Sequence, residues 1–319
     1  MAMLAALCSD SLSAFVPGDR LFCLHVEHGL RPAKESQGDA EFVRDFCKKQ
    51  KISCRIESIP QGEIASLARN RGMGIEATAR FFRRRALLEE AGRIACQNGN
   101  VFILTAHTKD DMLETVLMRV LRGTGPAGLA AMPVRRGQFL RPLLSMSRAD
   151  VIGYLNEKNV SWREDSTNKD EKYLRNKIRC SLVPLLNEYF PAWKKGLTGM
   201  AETQALAAEF FFKEAQRNVC WDIQSGECTT DEANFFYQPE IIREEALFIG
   251  INALSSLRVP VPLSGEFRSH SIKRAVIRKF CSGLVNAADL GELRVKRKSG
   301  KINLSFVQLD FLKSEGENV

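Results

Sequence analysis

Apolar and polar positions keep changing period along the first two thirds of the chain. Leu21 to Val26 is a short apolar run that ends in a turn at Gly29, and Ile52 to Ile56 alternates at every second residue, so both are predicted as strands. Between them, Glu35 to Lys51 places Phe42, Val43 and Phe46 on one helical face and charges on the other. A second helix is predicted over Glu76 to Gln97. It is followed by Val101 to Leu104, a continuous apolar strand of the kind buried on both faces, and then by a helix over Asp110 to Leu121. Strands alternating with helices predict an α/β domain, a parallel sheet with right-handed crossovers and helices on both faces. Ligands of such sheets gather at the carboxyl ends of the strands. His25 to Arg31 and Thr105 to Asp111 both leave from those ends, which makes the space between them the candidate site.

After Pro191 the pattern changes. Gly196 to Val219 reads as a helix rich in Ala and Phe, and no strand is predicted until Leu293 to Phe306, a basic hairpin turning at Ser299-Gly300. Two domains are therefore expected, residues 1–195 and a mostly helical 196–319, as suits a chain of 319 residues. No apolar run approaches the ~20 residues of a membrane-spanning helix, and Met1 to Cys8 is too short and lacks the basic flank of a signal peptide. A soluble, cytoplasmic protein with no membrane partner is expected.

The net charge of +8 is unevenly distributed. Residues 196–257 hold 3 basic and 10 acidic side chains, whereas residues 258–301 hold 11 and 3. Segregated basic surface favours a polyanion, because lysines and arginines that neutralise phosphates release counterions. The nine cysteines contain no C-x-x-C pair, and several lie in apolar stretches. They read as buried reduced thiols rather than as a zinc site or a disulfide framework.

Three clusters can carry chemistry. In TAHTKDDMLETVLMRVLRGTG, from Thr105 to Gly125, Thr108 and Asp111 have the spacing of a capping box. Asp111 and Glu114 then lie three apart on one helical face, where two carboxylates hold an ammonium group or a metal ion, or else complement the helix dipole. In HVEHGLR, from His25 to Arg31, Gly29 allows a tight exit from the strand and lets the backbone approach a planar base. On the Glu76 to Gln97 helix, Arg80 and Arg83 share a face and can clamp phosphates, or simply face solvent.

Taken together in order, HVEHGLRP, IEATARFFRRRALLEE, TAHTKDDMLETVLMRVLRGTGPAGLAAMP, LRPLLSMSRADVIGYL and WREDSTNKDEKYLRNKIR resemble the tRNA(Ile)-lysidine synthetases of the PP-loop ATP-pyrophosphatase superfamily. The resemblance implies an adenine-nucleotide alpha-hydrolase-like fold. It also implies ATP-dependent ligation of L-lysine to the wobble cytidine of tRNA(Ile), through an adenylated cytidine, with release of AMP and diphosphate. Carried over by motif, Asp111 and Glu114 hold the lysine, and Asp110 and His107 complete the wall. His25, Val26, His28 and Gly29 border the adenosine, and Arg80 and Arg83 face the phosphates. For tRNA the candidates are Arg135, Arg136, Arg141 and the run from Lys169 to Arg179. Within that run Arg175, Asn176 and Arg179 match the family's R-N-x-I-R, and Tyr173 shares a helix face with them. Lys273, Arg274, Arg278, Lys279 and Arg294 to Lys298 are further candidates on charge alone. A tRNA-thiolating sibling enzyme and a catalytically impaired, RNA-binding remnant of the ligase are the alternatives.

One departure from the family pattern is large. The phosphate loop Ser-Gly-Gly-x-Asp-Ser, between the family's first strand and first helix, has no counterpart here, and Met1 to Leu7 resembles the helix that follows it. The loop binds pyrophosphate through its amides, and its Asp is the usual Mg²⁺ ligand. ATP and Mg²⁺ are therefore expected cofactors, with the metal ligand in the absent loop and none assigned among the residues present. The absent strand is an interior one, and the start at Met1 is expected to be internal to a reading frame longer by roughly two dozen residues. The genomic sequence before Met1 tests this, and a stop codon directly upstream counts against it.

Overall fold

A computed structural model of the protein describes residues 1–14, 16–30, 32–70, 72–163, 174–224, 226–256 and 274–307. Of the positions singled out above, Arg31, the run from Lys169 to Tyr173, and Lys273 lie outside the described residues. The chain divides into two compact units, one of residues 1–123 and 128–202, the other of residues 124–127 and 203–319.

The first unit opens with α1 (Ala2–Leu7) and α2 (Asp10–Ser13). Strand β1 (Phe22–Glu27), α3 (Ala33–Lys49) and β2 (Ser53–Ser58) follow as a βαβ unit, its strands parallel, with Phe22 opposite Ser53 and Glu27 opposite Ser58. Next come α4 (Glu63–Asn70), α5 (Ile75–Asn98), β3 (Ile103–Leu104), α6 (Lys109–Arg122) and the short α7 (Pro126–Leu129). A hairpin of β4 (Arg135–Arg136) and β5 (Phe139–Leu140) lies beside β3, with β5 parallel to it. The unit continues through α8 (Arg148–Glu157), α9 (Leu174–Lys177), a π-helical turn (Ile178–Leu182), α10 (Val183–Tyr189) and the start of α11 (Trp193–Asn218).

This is the α/β order expected, with two differences. The strands form two ladders, β1-β2 and β3-β5-β4, rather than one sheet. The third strand is also shorter than its apolar run, and Phe102 is 45% exposed, with the Arg135 guanidinium 5.2 Å from its ring centre. An aromatic face covered by a cation needs no second protein layer, so this strand is not buried on both sides.

Helix α5 joins the two ladders. Near its start, Ala79 and Phe82 pack with Ile59, Ile64 and Val26 at the carboxyl end of β1. Two turns on, Ala91 packs with Ile103 of β3 and Phe139 of β5. Each large apolar side chain so buried stabilises by about 1.5–3 kcal/mol, which fixes the arginines between these contacts relative to both strand ends.

The second unit contains the end of α11, β6 (Asp222–Gln224), β7 (Glu227–Asp231), α12 (Glu232–Tyr237), α13 (Glu240–Ser256), α14 (Arg274–Cys281), β8 (Ala287–Leu290), β9 (Leu293–Lys298) and β10 (Lys301–Phe306). Helical residues outnumber strand residues here. The expected hairpin is β9-β10, with Lys298 opposite Lys301 across Ser299 (φ 53°) and Gly300 (φ 72°). Two left-handed residues match the twist of the flanking strands. The hairpin belongs, however, to a five-stranded antiparallel sheet ordered β6-β7-β10-β9-β8. Three strands therefore join a region where only the hairpin was expected. They are short and rich in Asp, Thr and Ala, and only β7 alternates in burial, with Cys228 and Thr230 inward, so the period-two signal is weak. One continuous core, including Phe235, Leu247, Leu254, Phe280, Ile302 and Leu304, fills this unit. No described helix is long and apolar enough to cross a membrane.

Candidate functional site

The start of α6 is built by its own sequence. Thr108 and Asp111 form a reciprocal capping box: the Thr108 backbone N–H donates to Asp111 Oδ2 at 2.8 Å, and the Asp111 N–H donates to Thr108 Oγ1 at 3.4 Å. One turn on, Glu114 is buried beneath Asp111. The cap occupies one Asp111 oxygen and fixes where the other points.

That other oxygen, with Glu114, meets two arginines from the R-N-x-I-R segment. Arg175 donates through Nη2 to Asp111 Oδ1 at 2.7 Å and through Nε to Glu114 Oε2 at 2.7 Å. Arg179 donates to both Glu114 oxygens, from Nε at 2.7 Å and from Nη2 at 2.9 Å. Both Glu114 oxygens thus accept from guanidinium. Its side chain is 5% exposed, against 23% for Asp111, so Asp111 is the carboxylate that solvent reaches. Burial works against the charge of Asp111, but the Thr108 bonds and the Arg175 charge outweigh it and hold its pKa below the ordinary value. Hydrogen bonds to Glu114 likewise raise that of Arg179.

Arg80 and Arg83 of α5 face the same place. Crowding by protein lowers the pKa of Arg83, Arg80 and Arg175 add to this, and Asp111 opposes it. The Arg83 side chain is nevertheless open to water. Arg83 thus stands where solvent meets the Asp111 cluster, and that solvent-facing cluster of charged side chains is the candidate recess. His107 lies there too, its Nδ1 3.0 Å from Thr105 Oγ1. Burial, then the charges of Arg83, Arg80 and Arg141, outweigh Asp111 and lower its pKa to about 4, so it is neutral near pH 7. Four guanidiniums thus gather around two carboxylates, leaving the recess positive and suited to an anionic ligand with one acidic position inside.

At the end of β1, Gly29 adopts φ +60°, and a Cβ there would lie 2.7 Å from the Ile59 carbonyl oxygen. Glycine is required by both the backbone conformation and the approach. His25 pairs in register with Ile56 of β2, and His28 and Gly29 follow the strand. Val26 packs on Ala79 and Phe82, within a turn of Arg80 and Arg83. The strand-end segment and the acidic pair therefore flank the same stretch of α5.

Several expected roles change. Asp110 does not join the wall around Asp111: its Oδ2 accepts from the Arg148 backbone N–H at 2.7 Å and its Oδ1 from Lys194 Nζ at 3.4 Å, so it secures the start of α8. Arg175 and Arg179 do not form an open phosphate-binding surface, because the carboxylates of α6 draw them inward, and Asn176 between them is 8% exposed. Arg141 is 6% exposed and donates to the Pro133 carbonyl at 2.8 Å, so it too is no surface contact. Arg135 and Arg136 are exposed on β4, and Arg278, Lys279, Arg294 and Lys298 are exposed in the second unit. The closure of the acidic pair by Arg175 and Arg179 was missed by sequence reading. The signal was their four-residue spacing, which puts both arginines on one helical face.

A sequence profile described as the PP-loop domain matches residues 1–186, and the chain belongs to that family. Among curated proteins it is similar to the tRNA(Ile)-lysidine synthase of Treponema denticola, 45% identical over 177 residues, which are 56% of this chain and 37% of that protein. It is also similar to the tRNA(Ile)-lysidine synthase of Thermus thermophilus, 38% identical over 205 residues, 64% of this chain and 38% of that one. The chain thus spans less than half the length of these relatives. Among solved structures, a U34-tRNA thiolase of Methanococcus maripaludis is similar with a TM-score of 0.49 at 14% identity, over 64% of this chain and 68% of that one.

Proposed function

We propose that this protein uses ATP to ligate L-lysine to the wobble cytidine of tRNA(Ile). The observation that supports this best is the recess itself: a carboxylate reachable by an amine, Asp111, surrounded by guanidiniums suited to phosphates. The O2 oxygen of cytosine leaves poorly. Transfer of AMP to it, expelling diphosphate, makes a leaving group, and the lysine ε-amine then attacks C2 as AMP departs. Arg80 and Arg83 meet the negative charge that develops on the phosphates. Asp111 receives the lysine ammonium and aims it at C2, and the ammonium gives one proton to solvent to become the amine that attacks. Glu114 holds Arg179 and the Nε side of Arg175, and the ammonium replaces Arg175 Nη2 on Asp111 Oδ1. His107, neutral, lines the recess without adding charge. No described group of hard ligands gathers to suit Mg²⁺: three cysteines are the metal-capable set among the described residues, and oxygen donors suit that ion.

ATP-dependent incorporation of labelled lysine into a tRNA(Ile) transcript, with one AMP released per lysine, measured with this chain and with a version extended upstream to supply the phosphate loop, tests the proposal, and incorporation by neither counts against it. Cys180, exposed beside Arg179, gives a control. Cys180→Ala should ligate lysine normally. Incorporation of sulfur that depends on Cys180, or no incorporation into a tRNA that is bound, contradicts the reading.

A further inference from the structure

Away from the recess, three cysteines converge. Cys23 of β1 and Cys54 of β2 are direct partners in the parallel register, and Cys47 comes from the last turns of α3, which packs on both strands. Their sulfurs all lie within 4.8 Å of one another. Thiolates held about 2.3 Å from one ion stand about 3.8 Å apart, so side-chain shifts of about an ångström close the set. Cys47 is fully buried, while Cys23 and Cys54 are partly open, which gives an ion a way in. Cys8, just after α1, lies outside this set but near enough for its charge to act on Cys47. The cluster sits towards the amino ends of the strands, away from the carboxyl ends where the recess lies.

We propose that Cys23, Cys47 and Cys54 bind one thiophilic metal ion of the Zn²⁺ or Cu⁺ class, which ties α3 to the β1-β2 ladder. On binding, each of the three thiols releases its proton to solvent and forms one sulfur–metal bond, and no electron is transferred. Zn²⁺ takes a water as its fourth ligand, whereas Cu⁺ is satisfied by the three thiolates.

The test uses the reduced full chain, stripped of metal. One arm titrates Co²⁺ as the spectroscopic stand-in for Zn²⁺, and the other titrates Cu⁺ against a chromophoric chelator. The expected result is one ion per chain in at least one arm, with thiolate-to-metal absorption and a raised Tm. Cys23→Ala and Cys54→Ala should each weaken binding at least tenfold. They carry the test, since Cys47→Ala opens a buried cavity. A variant lacking the exposed Cys96, Cys180 and Cys220 should bind as the parent does. Binding in neither arm, binding unaffected by loss of Cys23 and Cys54, or binding that disappears with the exposed cysteines overturns the proposal. None of these readouts depends on ligase activity.

Discussion

Two buried glutamates solve the same electrostatic problem in the two units. Glu114 is held by Arg175 and Arg179, and Glu244 by Arg274 and Arg278, each arginine pair four residues apart. A buried carboxylate without such partners would be strongly unfavourable. Around Glu244 one side is an apolar core, with Ile277 and Phe280 on the same helix as its arginines, while Arg278 reaches solvent and Glu245 adds a second carboxylate near Arg274. Around Glu114 the apolar clusters are small and separate, and a second carboxylate, two further arginines and a neutral histidine face the same recess. Both are ion-pair staples, and what sets the Glu114 site apart is the two further arginines and the neutral histidine gathered where water reaches.

The largest expected effects break this comparison directly. Glu114→Ala and Glu244→Ala should each lower stability by about 3 kcal/mol in denaturant unfolding, the former leaving Arg179 without its short contacts while Arg175 keeps Asp111, the latter leaving Arg274 and the exposed Arg278 unpaired. Only the former should also abolish lysine ligation under conditions where both chains are folded. Equal loss of ligation in the two would erase the distinction. Next in size, Gly29→Ala should cost about 2 kcal/mol or more, since it combines a left-handed backbone with a clash against the Ile59 carbonyl. An unchanged Tm would show that the strand exit relaxes freely.

His107 offers a pH-dependent measure of the recess. Its native pKa of about 4 lies below the ordinary value of about 6.5, so as pH falls the unfolded chain takes up the proton first. Its contribution is complete above about pH 6.5, is lost between there and pH 4 with a limiting slope of about 1.4 kcal/mol per unit, and is flat below. His107→Gln should remove that part of the slope. A slope equal to the parent's would place the histidine outside the cluster of arginines. The smallest effect is at the surface: Arg135→Ala should weaken tRNA binding only modestly and reduce its salt slope by about one. No change in the slope would take β4 out of the tRNA interface.

The first unit was more legible than the second for a physical reason. Its helices α3 and α6 are long with an apolar face, and Thr108-x-x-Asp111 announces the start of α6 in four residues. Strands such as Asp222–Gln224 and Arg135–Arg136 are too short and polar to show a period, and exist because a neighbouring strand pairs with them. The acidic pair and the α5 arginines were legible as clusters because each occupies one helical face. The closure of Asp111 and Glu114 by Arg175 and Arg179, and the meeting of Cys23 with Cys47 and Cys54, join segments remote in sequence. Only the register of β1 on β2 and the packing of α9 against α6 bring them together.

Asp111 and Glu114 differ in what they touch, and that difference is the most direct test of the proposed chemistry. Asp111→Asn keeps a side-chain oxygen for the cap and removes the charge that would meet an ammonium. Its steady-state kinetics should show kcat/KM for lysine lower by about 100-fold, with the dissociation constant for tRNA within about twofold of the parent. Lysine kinetics equal to the parent's, or tRNA affinity falling in step with lysine use, would contradict the assignment of this carboxylate to the amino acid.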